Sequence, residues 1–277
     1  MLLGIPVINK HKETLKLVLS LKETIGDPED FAVAVIDNDS DTPYTREEFP
    51  DLPFDLVIVH NRENKGFYYP LKQLFDTYNI PLIGLCHNDM VFYEKGWDLR
   101  MGKCFNSDEK LSLIGLCGSN QVDIAGGRGT GTMCFFRGDD GQKQSAGRRI
   151  TDLQPAAILD SMFMMFRSLD IPLLKIDEEI TLCHFYDKIW SLRLIENGKH
   201  VAVLGIEVDH WGGVTSVSEP KYREHTREWL VKHNIPEQEN GDLGIYQEAE
   251  RRFLTEYRQE KEMMPMHIDG DYNVCKP

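Results

Sequence analysis

Four short apolar runs, Leu2 to Ile8, Phe31 to Ile36, Phe54 to Val59 and Leu82 to Leu85, each give way to a polar cluster, and this repeated pattern restricts the fold more than any other feature. A short aliphatic and β-branched run without alternating polar positions reads as a strand buried on both faces, as in a parallel sheet covered by helices. Between the first two runs, Leu15, Val18, Leu19 and Ile25 recur at helical spacing until Gly26-Asp27-Pro28 ends the pattern. Leu71, Leu74, Phe75 and Tyr78 form a second apolar helical face before the fourth run. This order of strands and helices predicts an α/β fold with a mainly parallel central sheet flanked by helices. In such sheets the polar groups at the carboxyl ends of the strands share one crevice.

The polar clusters are therefore the candidate site. They comprise Pro6 and Asn9 at the end of the first run, Asp37-Asn38-Asp39-Ser40-Asp41 after the second, an Asn64-Lys65-Gly66 turn after the third and His87-Asn88-Asp89 after the fourth. Beyond Trp97 a helix is expected over Leu99 to Phe105 and a strand over Leu111 to Leu116. Gly118 to Gly147 reads as a glycine-rich binding surface or lid with a strand at Thr132 to Phe136. A helical pattern around Tyr186 to Ile195 leads into one strand from Val201 that ends at Asp209-His210. The residues after Glu219 read as charged helices, and those from Pro265 as a tail.

Composition narrows the functional classes. The chain has 277 residues, 41% of them hydrophobic, which suffices for a full core. A formal net charge of −14 argues against an extended grip on nucleic acid. Arg128, Arg137, Arg148 and Arg149 could form a local basic patch, although arginines in such loops are commonly solvated. No run approaches the roughly 20 apolar residues of a membrane span, and no charged leader precedes the first apolar run, so a cytoplasmic protein is expected. The six cysteines are scattered with no CxxC pair and are expected to be free core thiols.

The ordered set PVIN (Pro6 to Asn9), IDNDSDT (Ile36 to Thr42), NRENKGF (Asn61 to Phe67), HNDMVFYEKGWD (His87 to Asp98), ILDSMFMMFR (Ile158 to Arg167), FYDKIWSLRLIENGKHVAV (Phe185 to Val203) and DHWGG (Asp209 to Gly213) resembles the family-2 glycosyltransferases of the GT-A fold. The resemblance covers about residues 1 to 216, which gives a transferase domain of 1–216 and a C-terminal helical extension of 217–277. It implies an inverting, metal-dependent transfer of a sugar from a nucleotide diphosphate donor, UDP being the expected carrier, to an acceptor hydroxyl. Asp89 matches the last carboxylate of the family's DXD metal motif, whereas His87 stands where the first is usual. His210 falls where a second protein ligand is often supplied. With nitrogen ligands the expected ion is Mn2+ rather than Mg2+. Pro6, Asn9, Asp37, Asn38, Asp39, Asn64, Gly66 and Asn88 are assigned by resemblance to the nucleotide, and Asp187 to the general base that deprotonates the acceptor. Asp160 is a weaker candidate for acceptor contact, and His184 for the base.

Each assignment has a plainer reading. Asp89 could simply cap a turn, DNDSD suits an Asx turn, Asp187 could cap a helix, and His210 could be an ordinary hydrogen-bonded histidine. Two alternative functions stay open: a sugar nucleotidyltransferase, against which the lack of a glycine-rich phosphate loop in PVINKHKET counts, and a non-catalytic carbohydrate or nucleotide binder on a transferase scaffold. Gly127-Arg128-Gly129-Thr130-Gly131 and Asp269-Gly270-Asp271 imitate nucleotide and metal motifs, but the first lacks the third glycine and its strand context and the second lies in the expected tail. The C-terminal helices could also support a homodimer.

Overall fold

The computed structural model describes residues 1–64, 66–137, 147–176, 184–211, 220–232, 234, 241–268 and 270. The first run forms β1 (Leu2–Val7), buried at every position, and α1 (His11–Thr24) follows it. β2 (Ala32–Asn38) and β3 (Asp55–Asn61) extend the sheet outward, and α2 (Tyr68–Thr77) returns the chain to β4 (Leu82–Cys86) on the other side of β1. All three pairings are parallel, with Val7 opposite Asp37 and Asp37 opposite His60. The polar clusters thus come to one edge.

A short strand, β5 (Met90–Phe92), and α3 (Trp97–Ser107) precede β6 (Leu111–Gly115). The glycine-rich stretch contributes β7 (Cys117–Ser119), β8 (Gln121–Val122), β9 (Thr132–Cys134) and β10 (Arg148–Arg149), and the chain continues through β11 (Leu153–Pro155) and β12 (Ile158–Leu159). The Met-rich run is β13 (Phe163–Arg167), a core strand antiparallel to both β4 and β6. Gly84 permits that approach: a Cβ there would lie 2.7 Å from Met165 Cε and 2.8 Å from the Met164 carbonyl oxygen. After α4 (Tyr186–Glu196), β14 (His200–Leu204) joins β6 in parallel, completing the eight-stranded order β11-β14-β6-β13-β4-β1-β2-β3. A second sheet has the order β10-β9-β7-β12.

The expected single strand from Val201 to His210 is two. The chain turns at Gly205, where a Cβ would meet the Ile150 carbonyl oxygen at 2.2 Å, and resumes as β15 (Val208–His210), paired with β5. Helices α5 (Pro220–Lys232) and α6 (Gly241–Leu254) follow. The segment from Pro265 is not wholly a tail, because β16 (Met266–His267) pairs with β8.

Apolar side chains fill both faces of the sheet. Leu17, Val18 and Leu21 of α1 pack with Trp97, Met101 and Phe105 of α3 on one. On the other, Leu71 and Leu74 of α2 and Trp190 and Leu194 of α4 join Trp229, Leu230, Ile245 and Phe253 from the C-terminal helices. Cys86, Cys117 and Cys134 are buried thiols outside any disulfide, as expected, while Cys104 is disulfide-bonded, a departure from the free-thiol expectation. Among the described residues no helix is long and apolar enough to cross a membrane.

Candidate active site

β4 is buried from Ile83 onward and ends at Cys86, so the next three residues emerge at the polar edge of the sheet. β5 begins immediately after them, and β15 pairs with it antiparallel, setting His210 opposite Met90. The Trp211 amide donates to the Asp89 carbonyl oxygen at 3.1 Å. Tyr93 Oη donates to the fully buried Asp209 carboxylate at 2.8 Å, tying the two strands together from the far side. This ribbon joins residues more than a hundred positions apart: His210 Nε2 lies 3.2 Å from Asp89 Oδ1 and 3.3 Å from His87 Nδ1.

One ligand atom from each of His87, Asp89 and His210 can be chosen so that all lie within 4.8 Å of one another. Burial, reinforced by the neighbouring His210, pushes His87 down to about 4, so its imidazole is neutral and keeps a free lone pair. Burial works against charge on Asp89, but the His210 bond outweighs it and holds the carboxyl below the usual range. Burial likewise opposes protonation of His210, and the bond to Asp89 reverses that direction. Two imidazole nitrogens and one carboxylate, converging at partly buried positions, suit a divalent transition metal.

Two clefts meet at Asn88. The smaller, with about 380 Å³ of open space, is lined by Pro6, Asn38, Asn64, Gly66, Phe67 and Asn88. The larger, about 680 Å³, is lined by Asn88, Asp89 and residues of α1. The structure thus brings five of the eight residues assigned to the nucleotide to one cleft wall. The other three are neighbours of it with local bonds of their own. Asp37 accepts from the Ser40 and Tyr44 amides at 2.9 and 3.1 Å, so its carboxylate is engaged in the Asx turn. Asp39 adopts a positive φ of 70° and pairs with Lys221 of α5 at 3.3 Å. The Asn9 amide donates to Ser40 Oγ at 2.7 Å, and its side chain donates to the Asp41 carboxylate and accepts from the Asp41 amide. Asn38 Nδ2 donates to the Gly66 carbonyl oxygen at 3.1 Å, closing the turn over the cleft. Lys65, Gly212, Gly213, Asp269 and Asp271 fall outside the described residues.

On the side of β12 and α4, Asp187 sits in the first turn of α4 with 8% exposure, its Oδ2 accepting from the Ser161 amide at 3.1 Å and its Oδ1 from the Lys188 amide at 2.8 Å. Burial, followed by the nearby Asp160, raises its affinity for a proton. Asp160 is closely paired with Arg128, accepts from the Met162 amide at 3.0 Å, and is held at about 2 because that guanidinium overcomes the effect of burial. His184 packs edge-on against Tyr246, 5.3 Å between ring centres.

The family model for glycosyl transferase family 2 matches residues 3–171, more than half of the chain. The chain belongs to this family. It is a nucleotide-sugar-dependent glycosyltransferase, and its layered sheet is the GT-A architecture that the sequence predicts. The crystal structure of S. aureus TarS 1-349 aligns with this transferase at a TM-score of 0.51 and 15% identity, covering 95% of this chain and 73% of that one. The complex of TarS 1-349 with UDP-GlcNAc aligns at 0.52 and 15%, covering 94% and 72%. No curated protein sequence matches the transferase.

Two residues with no role in the sequence expectations lie at the candidate site. The resemblance gives His87 only the place of a missing carboxylate, whereas a histidine two positions before Asp89 and a second one on a later strand are themselves a signal for nitrogen ligation. Arg128 was grouped with a basic patch that does not form. Arg128 turns inward to Asp160, Arg137 lies 4.4 Å from the Tyr93 ring centre, Arg149 lies 3.9 Å from that of Phe135, and Arg148 bonds Gln154.

Proposed function

We propose that this glycosyltransferase moves a sugar, with inversion, from UDP to an acceptor hydroxyl, using a divalent metal held by Asp89 and His210 together with His87, and Asp187 as general base. The observation that carries the reading is the convergence of His87, Asp89 and His210 beside the cleft at Asn88. Pro6, Asn38, Asn64 and Gly66 would hold the base and ribose, with Asn9, Asp37 and Asp39 fixing the surrounding turns. An ion at the trio would supply Lewis-acid charge to the departing diphosphate.

The rest falls to the chain itself. Asp187 is fixed by two backbone amides, and its raised proton affinity suits a base that takes the acceptor's hydroxyl proton at one carboxylate oxygen. Attack on the face of the anomeric carbon opposite the leaving group then inverts the configuration. Arg128 keeps Asp160 ionised beside it, and that negative charge sustains the basicity of Asp187.

Calorimetric titration with UDP and Mn2+, followed by analysis of the anomeric product, tests the reading. Asp89→Ala is expected to abolish metal-dependent UDP binding, while Asp187→Asn retains it and lowers kcat by about 10²- to 10⁴-fold. Metal-independent UDP binding, or unimpaired turnover in Asp187→Asn, would sink the corresponding assignment.

A further inference from the structure

We propose that Lys10 and Lys16 form a cationic subsite for the diphosphate of the donor. The inference rests on the nucleotide-donor reading above and adds two residues to which no role has been given. The smaller and larger clefts share Asn88, and beyond it the wall of the larger one includes Asp89, Lys10, Lys16, Glu13 and Trp211. The cleft has a volume of about 270 Å³, which accommodates a diphosphate, and opens onto solvent where attached groups extend. Lys16 is positioned rather than loose: its ammonium lies 3.7 Å from the centre of the Trp211 ring, and the Trp211 amide is bonded to the Asp89 carbonyl oxygen. The lysine, the tryptophan and the metal-binding turn therefore form one connected unit.

Lys10 reaches the same wall through an unusual backbone. Asn9 and Lys10 adopt φ values of 54° and 59°, a left-handed conformation that costs energy for residues with a Cβ. Ser40 and Asp41 hold Asn9 in place from outside the cleft. Charge gives the reason for the arrangement. A divalent ion bound by one carboxylate and two neutral imidazoles keeps part of its positive charge, but a diphosphate brings more negative charge than that remainder offsets. Two ammonium groups along its path complete the compensation, with Glu13 the acidic residue on that wall besides the ligand Asp89.

The test is calorimetric titration of the full chain, with Mn2+ present, using UDP and uridine as separate probes on the wild type, Lys10→Met, Lys16→Met, Lys16→Arg and Glu13→Gln. Each methionine variant is expected to weaken UDP about tenfold, the effect of one charged hydrogen bond, and to leave uridine unchanged. Lys16→Arg is expected to stay near the wild type, and Glu13→Gln to bind UDP more tightly. Unchanged UDP affinity in both methionine variants, or equal losses of UDP and uridine, overturns the subsite and leaves the donor reading intact. A wild type that binds neither probe overturns the donor reading and this subsite with it.

Discussion

Two imidazoles and one carboxylate within reach of a single ion make the identity of residue 87 the natural point at which to test metal preference. Magnesium favours oxygen donors and octahedral geometry, whereas imidazole suits the transition metals. His87→Asp is expected to raise Mg2+ affinity relative to Mn2+ in calorimetric titrations; an unchanged ratio would remove His87 from the ligand set. Asp160 gives a residue-scale prediction in pH. Its folded-state value of about 2 lies below the ordinary aspartate value of 3.8, so the stabilisation is fully present above pH 4 and is lost as pH falls toward 2. Asp160→Asn should therefore cost about 2 kcal/mol near neutrality. The gap to the wild type, followed by urea unfolding, should narrow below pH 4; a constant gap would mean that the carboxylate's charge is not what stabilises the fold.

At the scale of elements, the ribbon of β5 and β15 converts local sequence into a site. Tyr93→Phe removes one donor to the buried Asp209 and is expected to destabilise by about 1–3 kcal/mol while weakening Mn2+ binding through His210. Thermal unfolding and metal titration check the two effects separately, and loss of stability with Mn2+ affinity intact would show that the ribbon does not position the metal site. The strands β1 to β4 were legible because each contains a continuous apolar run, although β3, at the edge of the sheet, is half-exposed and not buried on both faces as expected, and α1, α2 and α4 because their apolar residues recur at helical spacing. The polar ends of those strands located the crevice, and with it Asp89 and Asn88. What local pattern could not supply was pairing. The opposition of His210 and Met90 is a long-range register, decided by the turn at Gly205, and a buried run such as FMMF reads the same whether its strand lies parallel or antiparallel. His87 stayed unassigned for the same reason: its partner is a ring from a strand 123 residues away.

The whole molecule draws its C-terminal helices into the core of the sheet. Phe253 is fully buried, with its ring 5.2 Å from Phe185 and 5.3 Å from Tyr257. Phe253→Ala is expected to cost about 3–5 kcal/mol and to lower the unfolding midpoint of the whole chain in one transition. A separate, earlier transition confined to the C-terminal helices would show that they fold independently. The place of β13 has a different bearing, on synthesis. β1 to β4 can pair with one another as soon as they leave the ribosome, but β4 meets no further neighbour until β13 emerges some 80 residues later and bridges it to β6. During that interval the nascent chain carries an open, apolar strand edge, the feature that templates intermolecular pairing. The yield of native transferase in a cell is thus a race between elongation past Arg167 and capture of that edge by a neighbouring nascent chain, and slower translation of this stretch would favour aggregation.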